Sequence, residues 1–293
     1  MSAATEHRPA TPGPERYAHG HHPSVLAAHA RRGLADSAPH LVPHLRRGLR
    51  ILDIGAGPGS ITLELAQAVG PTGCVLGLDF APEAVATARA AAEQAGIENV
   101  RFEVADLFAL HQGDPLLAGA AHEDGFDVVH AHQVLHHLSE PTRAVQIMTS
   151  LVRPGGILSL REVDFGVTTF SPASPGLQRW LDTLRGFMLA EGQHPDAGRE
   201  LPHWVIQAGV APEDVDVGGS DWFYATRDAR AVFGQSWAHR VLESSYAQQA
   251  VQHGLLDQAG LQEVAKAWEE FAHRDRAAFR QHHTEVIARV GGR

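Results

Sequence analysis

The 293-residue chain is 44% hydrophobic, enough apolar surface for a sizeable core in one large or two ordinary α/β units. Its 34 acidic residues outnumber 24 lysines and arginines, for a formal charge of −10, and no basic cluster is denser than Arg31-Arg32 or Arg46-Arg47; this argues against nucleic acid as a partner. No apolar run approaches the roughly 20 residues that cross a bilayer, and a single cysteine, Cys74, precludes an internal disulfide and suits a reducing cytoplasm.

Residues 1–16 carry Pro9, Pro12 and Pro14 without a hydrophobic block, and read as a disordered tail rather than a signal peptide. Residues 17–48 read as an N-terminal helical cap. Ser24 can cap a helix with apolar positions Val25, Leu26, Ala28 and Ala30, and Pro39 and Pro43 interrupt the chain beyond it. His19, His21 and His22 share their spacing with no carboxylate or cysteine, so they read as solvated loop histidines and no metal is expected.

Residues 51–66 organise the chain. An apolar run from Ile51 leads to three glycines at alternate positions, Gly55, Gly57 and Gly59, and then to Ile61, Leu65, Ala66 and Val69 at helical spacing. The pattern is strand, tight turn, helix, with a ligand crevice at the strand's carboxyl end. Dinucleotide sites use Gly-x-Gly-x-x-Gly, but here Ser60 stands where the third glycine of that pattern would be. Asp53, two residues before the first glycine, is awkward beside a pyrophosphate and suits the ammonium of an amino acid. S-adenosyl-L-methionine carries an ammonium, a sulfonium and no phosphate, and fits better.

At this point the sequence resembles the class I S-adenosylmethionine-dependent methyltransferases, in particular the group of ubiquinone and menaquinone C-methyltransferases. The strand Cys74–Asp79 ends in a carboxylate 20 residues after Gly59, the offset at which an acid meets ribose hydroxyls. Pro82 suits the first turn of a helix over 83–95 that ends at Gly96. A third strand, 100–105, leads to Asp106-Leu107, and a fourth, 126–130, to Leu135-His136-His137-Leu138. A helix from about Pro141 to Leu151 and the turn Pro154-Gly155-Gly156 precede a fifth strand, 157–163. Leu-His-His-Leu and Pro-Gly-Gly recur at these places in the family, and the resemblance covers about residues 49–165. It implies cofactor contacts from Asp53, Gly55, Gly57, Gly59, Asp79, Phe80 beside the adenine, Asp106, Leu107 and His130. It also implies a lid, residues 17–47, that brings Tyr17 over the cofactor. The Asp/Asn-Pro-Pro-Tyr/Phe pattern of many amino-methylating DNA enzymes is absent.

Beyond residue 165 the signals are weaker. Residues 176–189 have helical periodicity with Trp180, Leu181, Leu184, Phe187 and Met188. Residues 214–224 read as a strand with a glycine bulge at Gly218-Gly219, and helices come next over about 228–242, 244–253 and 258–273. Residues 278–290 supply a closing strand antiparallel to the fifth, so 49–293 form one domain with a cofactor half (49–165) and a substrate half (166–293). The expected fold is α/β, a Rossmann-like seven-stranded sheet with the helical cap. The expected activity is methyl transfer to a small-molecule acceptor by a cytoplasmic monomer or homodimer. If the acceptor loses a proton, the base is His136 or His137, at most one of which should face the acceptor, with Glu162 or Asp164 next. A nucleotide-dependent oxidoreductase and a non-methylating protein on the same scaffold are the alternatives.

Overall fold

A computed structural model describes residues 33–291. The tail, Tyr17, Ser24 and the histidines at 19, 21 and 22 lie outside the described residues. The described part of the cap is a single helical turn, α1 (Leu34–Ser37), and a short 3-10 turn, Val42–His44. Leu34, Ala38 and Leu41 are buried with Ile51, Val75, Val128 and Ile287 of the sheet, so this segment covers core.

Next come β1 (Arg50–Ile54), α2 (Ser60–Val69), β2 (Cys74–Asp79), α3 (Pro82–Ala95), β3 (Val100–Val104), β4 (Phe126–His132), α4 (Pro141–Ser150) and β5 (Val152–Ser171). The second half has α5 (Pro175–Ala190), α6 (Ala197–Gln207), β6 (Val215–Tyr224), α7 (Arg227–Glu243), α8 (Ser245–Gln252), α9 (Gln258–His273) and β7 (Ala278–Arg289). Among the described residues the sheet has seven strands in the order β3-β2-β1-β4-β5-β7-β6. The first five run parallel, and β7 runs antiparallel to both neighbours. The order reverses between β1 and β4, and in an open α/β sheet the crevice lies at that point, beyond the carboxyl ends.

The central strands are buried on both faces, which is why β1 and β2 read as short apolar runs; β4 is buried along its whole length although it carries Asp127, His130 and His132. Helices α4 and α6 bury Ala144, Val145, Met148, Leu201, Trp204 and Val205 against one face. A separate aromatic core joins α5, α7 and α9 to β7, with the Trp180 ring 4.7 Å from Trp237 and 4.9 Å from Trp268. Edge-to-face packing of this kind adds about 0.5–1.5 kcal/mol per pair beyond area burial. The helical periodicity of 176–189 thus serves the core.

Three expectations need correction. Strand β4 runs past His130 to His132, because Ala131 and His132 keep pairing with Leu160 and Arg161. Strand β5 contains the Pro154-Gly155-Gly156 turn as an irregularity, where pairing passes from Phe126 with Val152 to Val128 with Ile157. No bulge occurs in β6: Gly218 and Gly219 pair in unbroken register with Glu285 and Thr284 of β7. Helix α6 has no counterpart among these expectations; burial of Leu201, Trp204 and Val205 holds it despite Pro202, which has no N–H to donate.

Candidate active site

The glycine turn is pinned to the second strand. The N–H groups of Gly55 and Ala56 both donate to the Leu78 carbonyl, at 2.8 and 2.9 Å. The Gly57 N–H donates to Asp79 Oδ2 at 2.8 Å, and the Ala81 N–H to Asp79 Oδ1 at 2.9 Å. All three glycines have positive φ, at 71°, 54° and 85°. Their surroundings differ. A Cβ on Gly59 would lie 2.8 Å from Phe102 and 2.9 Å from Ala88, one on Gly55 would lie 2.4 Å from Val134 Cγ2, and one on Gly57 would meet nothing within 4 Å. Gly57 therefore leaves an open approach to the main chain.

Beside this turn, Phe80 is 62% exposed and Asp79 half-buried. On the neighbouring strand, Asp106 is exposed and accepts the Phe108 N–H at 2.9 Å, capping the turn that carries half-buried Leu107. The structure thus brings Gly55, Gly57, Asp79, Phe80, Asp106 and Leu107 together along the carboxyl ends of β1, β2 and β3.

Two expected members are elsewhere. The Asp53 carboxylate is enclosed between β1 and α2, accepting the Thr62 hydroxyl at 2.6 Å; burial pushes its carboxyl up to about 7 against that hydrogen bond. It ties strand to helix and does not present a free anion to an ammonium. His130 is fully buried within β4, its Nδ1 3.1 Å from Ser159 Oγ and its ring 6.2 Å from that of His40. Burial, then the His40 charge, pushes its imidazole down to about 3, so it is neutral and belongs to the interior.

At the end of β4 the chain turns through Gln133, at φ 55°, into a short 3-10 turn, Leu135–His137. His136 and His137 are both buried, and their rings lie in contact, with centroids 3.8 Å apart and planes tilted by 42°; adjacency in sequence did not make them diverge. His136 Nδ1 lies 2.7 Å from Glu162 Oε2, while Glu162 Oε1 accepts the N–H groups of Val134 and Leu135 at 2.7 and 2.6 Å. Burial pushes the Glu162 carboxyl up to about 8, opposed by these backbone hydrogen bonds. Asp164, the other reserve base, is held by Arg199 at 2.7 Å.

Sequence reasoning missed a second polar group on the opposite sheet face. Arg161 Nε donates to Glu285 Oε1 and Ser220 Oγ, and His40 Nδ1 lies 3.7 Å from the same carboxylate. Burial pushes Glu285 up, but the adjacent His40, the Ser220 hydrogen bond and the Arg161 charge outweigh it and bring it to about 2. Nearby, Trp222 packs on His283 at 4.5 Å and on His132 at 5.9 Å, and its Nε1 donates to the Asp36 carbonyl. The available signal was charge inside apolar strands, at Arg161-Glu162 and Glu285. Among the described residues no group of three or more His, Cys, Asp or Glu is set to hold a metal ion, and no helix is long and apolar enough to cross a membrane.

A parallel sheet closed by an antiparallel β7, with a glycine turn and acids at successive strand ends, defines the class I methyltransferase fold. The profile of the "Methyltransferase domain" family matches residues 45–194, and the chain belongs to that family: it is a methyltransferase dependent on S-adenosylmethionine. An uncharacterized methyltransferase of Schizosaccharomyces pombe is 28% identical over 90% of this chain and 92% of its own length. An arsenite methyltransferase of Halobacterium salinarum is 28% identical over 67% of this chain, but the match spans only 48% of that protein. The YcgJ protein of Bacillus subtilis superposes with a TM-score of 0.54 at 17% identity, over 86% of this chain and 97% of that one, which shows a shared fold. The oxidoreductase alternative falls with the family match. The cofactor fits the residues present: Gly57 leaves main chain open, and exposed Phe80 and Asp106 flank Asp79.

Proposed function

We propose that this methyltransferase acts on a small-molecule acceptor bound beyond the carboxyl ends of β4 and β5, with the cofactor lying across β1, β2 and β3. The observation that carries the reading is the contact between the two halves of the crevice, where Val134 of the strand-four turn packs on Gly55 of the glycine turn. In this reading Asp79 accepts hydrogen bonds from the ribose hydroxyls, Phe80 and Leu107 hold the adenine faces, and Asp106 receives its amino group. Gly57 admits the amino-acid end, beside Gly55 under Val134. When bound, S-adenosylmethionine supplies an electrophilic methyl on sulfonium.

The protein's part is to align an acceptor lone pair with that methyl, exclude water and take up any proton released. Alignment alone supplies up to about 7–11 kcal/mol in the best intramolecular models. The His136–His137 pair is the base for an acceptor that loses a proton, contributing about 10²- to 10⁴-fold. Arsenite is disfavoured as acceptor. Soft thiophilic centres need several thiolates, and the one cysteine, Cys74, begins β2 at the end of the strand away from the crevice. A nucleophilic oxygen, nitrogen or carbon is favoured instead. The net charge of −10 supports a small acceptor over nucleic acid, and the lone cysteine supports a cytoplasmic site of action.

The test is a screen of phenols, amines and activated carbon acids for release of S-adenosylhomocysteine, with calorimetry for cofactor binding. Binding without turnover on any acceptor class would favour the non-methylating alternative.

A further inference from the structure

Glu162 is buried in the middle of β5, and its carboxylate meets three consecutive residues of another segment. Oε1 accepts the N–H groups of Val134 and Leu135 at 2.7 and 2.6 Å, and Oε2 lies 2.7 Å from His136 Nδ1. The same turn is held from two further sides. The Gln133 N–H donates to the Arg161 carbonyl at 2.8 Å, and the His194 N–H donates to the His136 carbonyl at 2.9 Å. Val134, between these anchors, is the residue whose Cγ2 fills the space over Gly55. Glu162 thus sets the position of a side chain that walls the glycine turn and of an imidazole that belongs to the acceptor side.

We propose that Glu162 is the positioning residue of the methyl-transfer centre: it registers the strand-four turn against the cofactor's glycine turn and, once ionised, holds the His136 tautomer with its proton on Nδ1. The proposal rests on the methyl-transfer reading above. It removes Glu162 from the candidates for the base, since the carboxylate is enclosed and fully engaged. Two backbone N–H groups can only donate, so the oxygen facing them must accept. In Glu162→Gln the amide oxygen must stay on those N–H groups, which turns the NH2 toward His136 Nδ1. The imidazole proton must then move to Nε2. Glu162→Ala instead leaves two buried N–H groups unpaired, and the turn must shift off Gly55.

The experiment uses the full chain. Nitrogen-15 NMR of the imidazoles over a pH series, followed upward until the Glu162 carboxyl has ionised, reads the His136 tautomer, and calorimetry with S-adenosylhomocysteine reads the glycine turn. The expected result is an Nδ1-protonated His136 in the parent and an Nε2-protonated one in Glu162→Gln, a change that loss of packing alone does not produce. Binding should weaken about tenfold or more in Glu162→Ala and stay within about threefold of the parent in Glu162→Gln. Should Glu162→Ala fail to fold, Glu162→Asp, one methylene short of the turn, replaces it with the same expected loss. The same tautomer in parent and Glu162→Gln, or an unweakened affinity in the folded Ala or Asp variant, overturns the proposal. If the parent itself does not bind, the methyl-transfer site fails as read, and the tautomer comparison still decides what Glu162 holds.

Discussion

The Asp79 carboxylate accepts the Gly57 N–H at 2.8 Å, so the last residue of β2 holds the glycine turn that comes after β1. With Ala81 N–H on its other oxygen at 2.9 Å, both oxygens of this half-buried side chain are held by backbone N–H groups of the crevice turns. Such pre-organisation lowers the ordering cost of binding.

Replacing Asp79 should therefore harm binding twice, by loss of the ribose acceptor and by release of the turn. Charge-assisted hydrogen bonds are worth about 1.5–3 kcal/mol, so Asp79→Ala should weaken S-adenosylmethionine binding about tenfold or more. Calorimetry on the folded variant checks this, and an unchanged dissociation constant removes the assignment.

The glycines should separate stability from binding. Gly59→Ala places a methyl within 3 Å of Phe102 and Ala88 in a left-handed backbone, and should cost about 2–4 kcal/mol of stability in urea unfolding. Gly57→Ala meets no neighbour and should cost about 1–2 kcal/mol from backbone strain alone, yet its methyl points into the open approach and should weaken cofactor binding more than Gly59→Ala does in proportion. Equal ratios in the two variants would falsify the distinction.

Asp53 should give the protein an acid-side stability that fades toward neutrality. Its carboxyl is raised from 3.8 to about 7 in the fold, so between those values the native state keeps a proton that the unfolded chain has lost. Stability must then fall as pH rises from about 4 to about 7, by on the order of 4 kcal/mol at most, and level off above. Asp53→Asn keeps an acceptor for Thr62 and removes the titration. The parent-minus-variant difference in unfolding free energy should decline across that window, and a difference independent of pH disproves the assignment.

The lid reading is best tested by a cut at residue 32. Removing everything to residue 47 would strip Leu34, Ala38 and Leu41 from the core and break the Trp222–Asp36 hydrogen bond, mixing unfolding with loss of cover. Deleting residues 1–32 should leave the melting temperature near that of the full chain while reducing cofactor affinity, as loss of a closing segment does. If the shortened chain binds as tightly, Tyr17 and its neighbours are not part of the site.

The features legible in the sequence were those that a short stretch decides for itself. Alternating glycines from Gly55 to Gly59 can only turn the chain, Asp79 and Asp106 stand at strand ends because a turn comes after each, and the run from Ala278 has the length and apolar content of a closing strand. The tertiary structure decided which way side chains face within strands covered on both sides, where apolar residues occupy both faces and the two-residue period carries no sign of inside or outside. That is why Asp53 and His130, expected on the cofactor, lie in the interior, and why His136 and His137 meet ring against ring instead of diverging. The anchor of their turn, Glu162, comes from a strand 26 residues beyond His136, and only the pairing of β4 with β5 brings the two together.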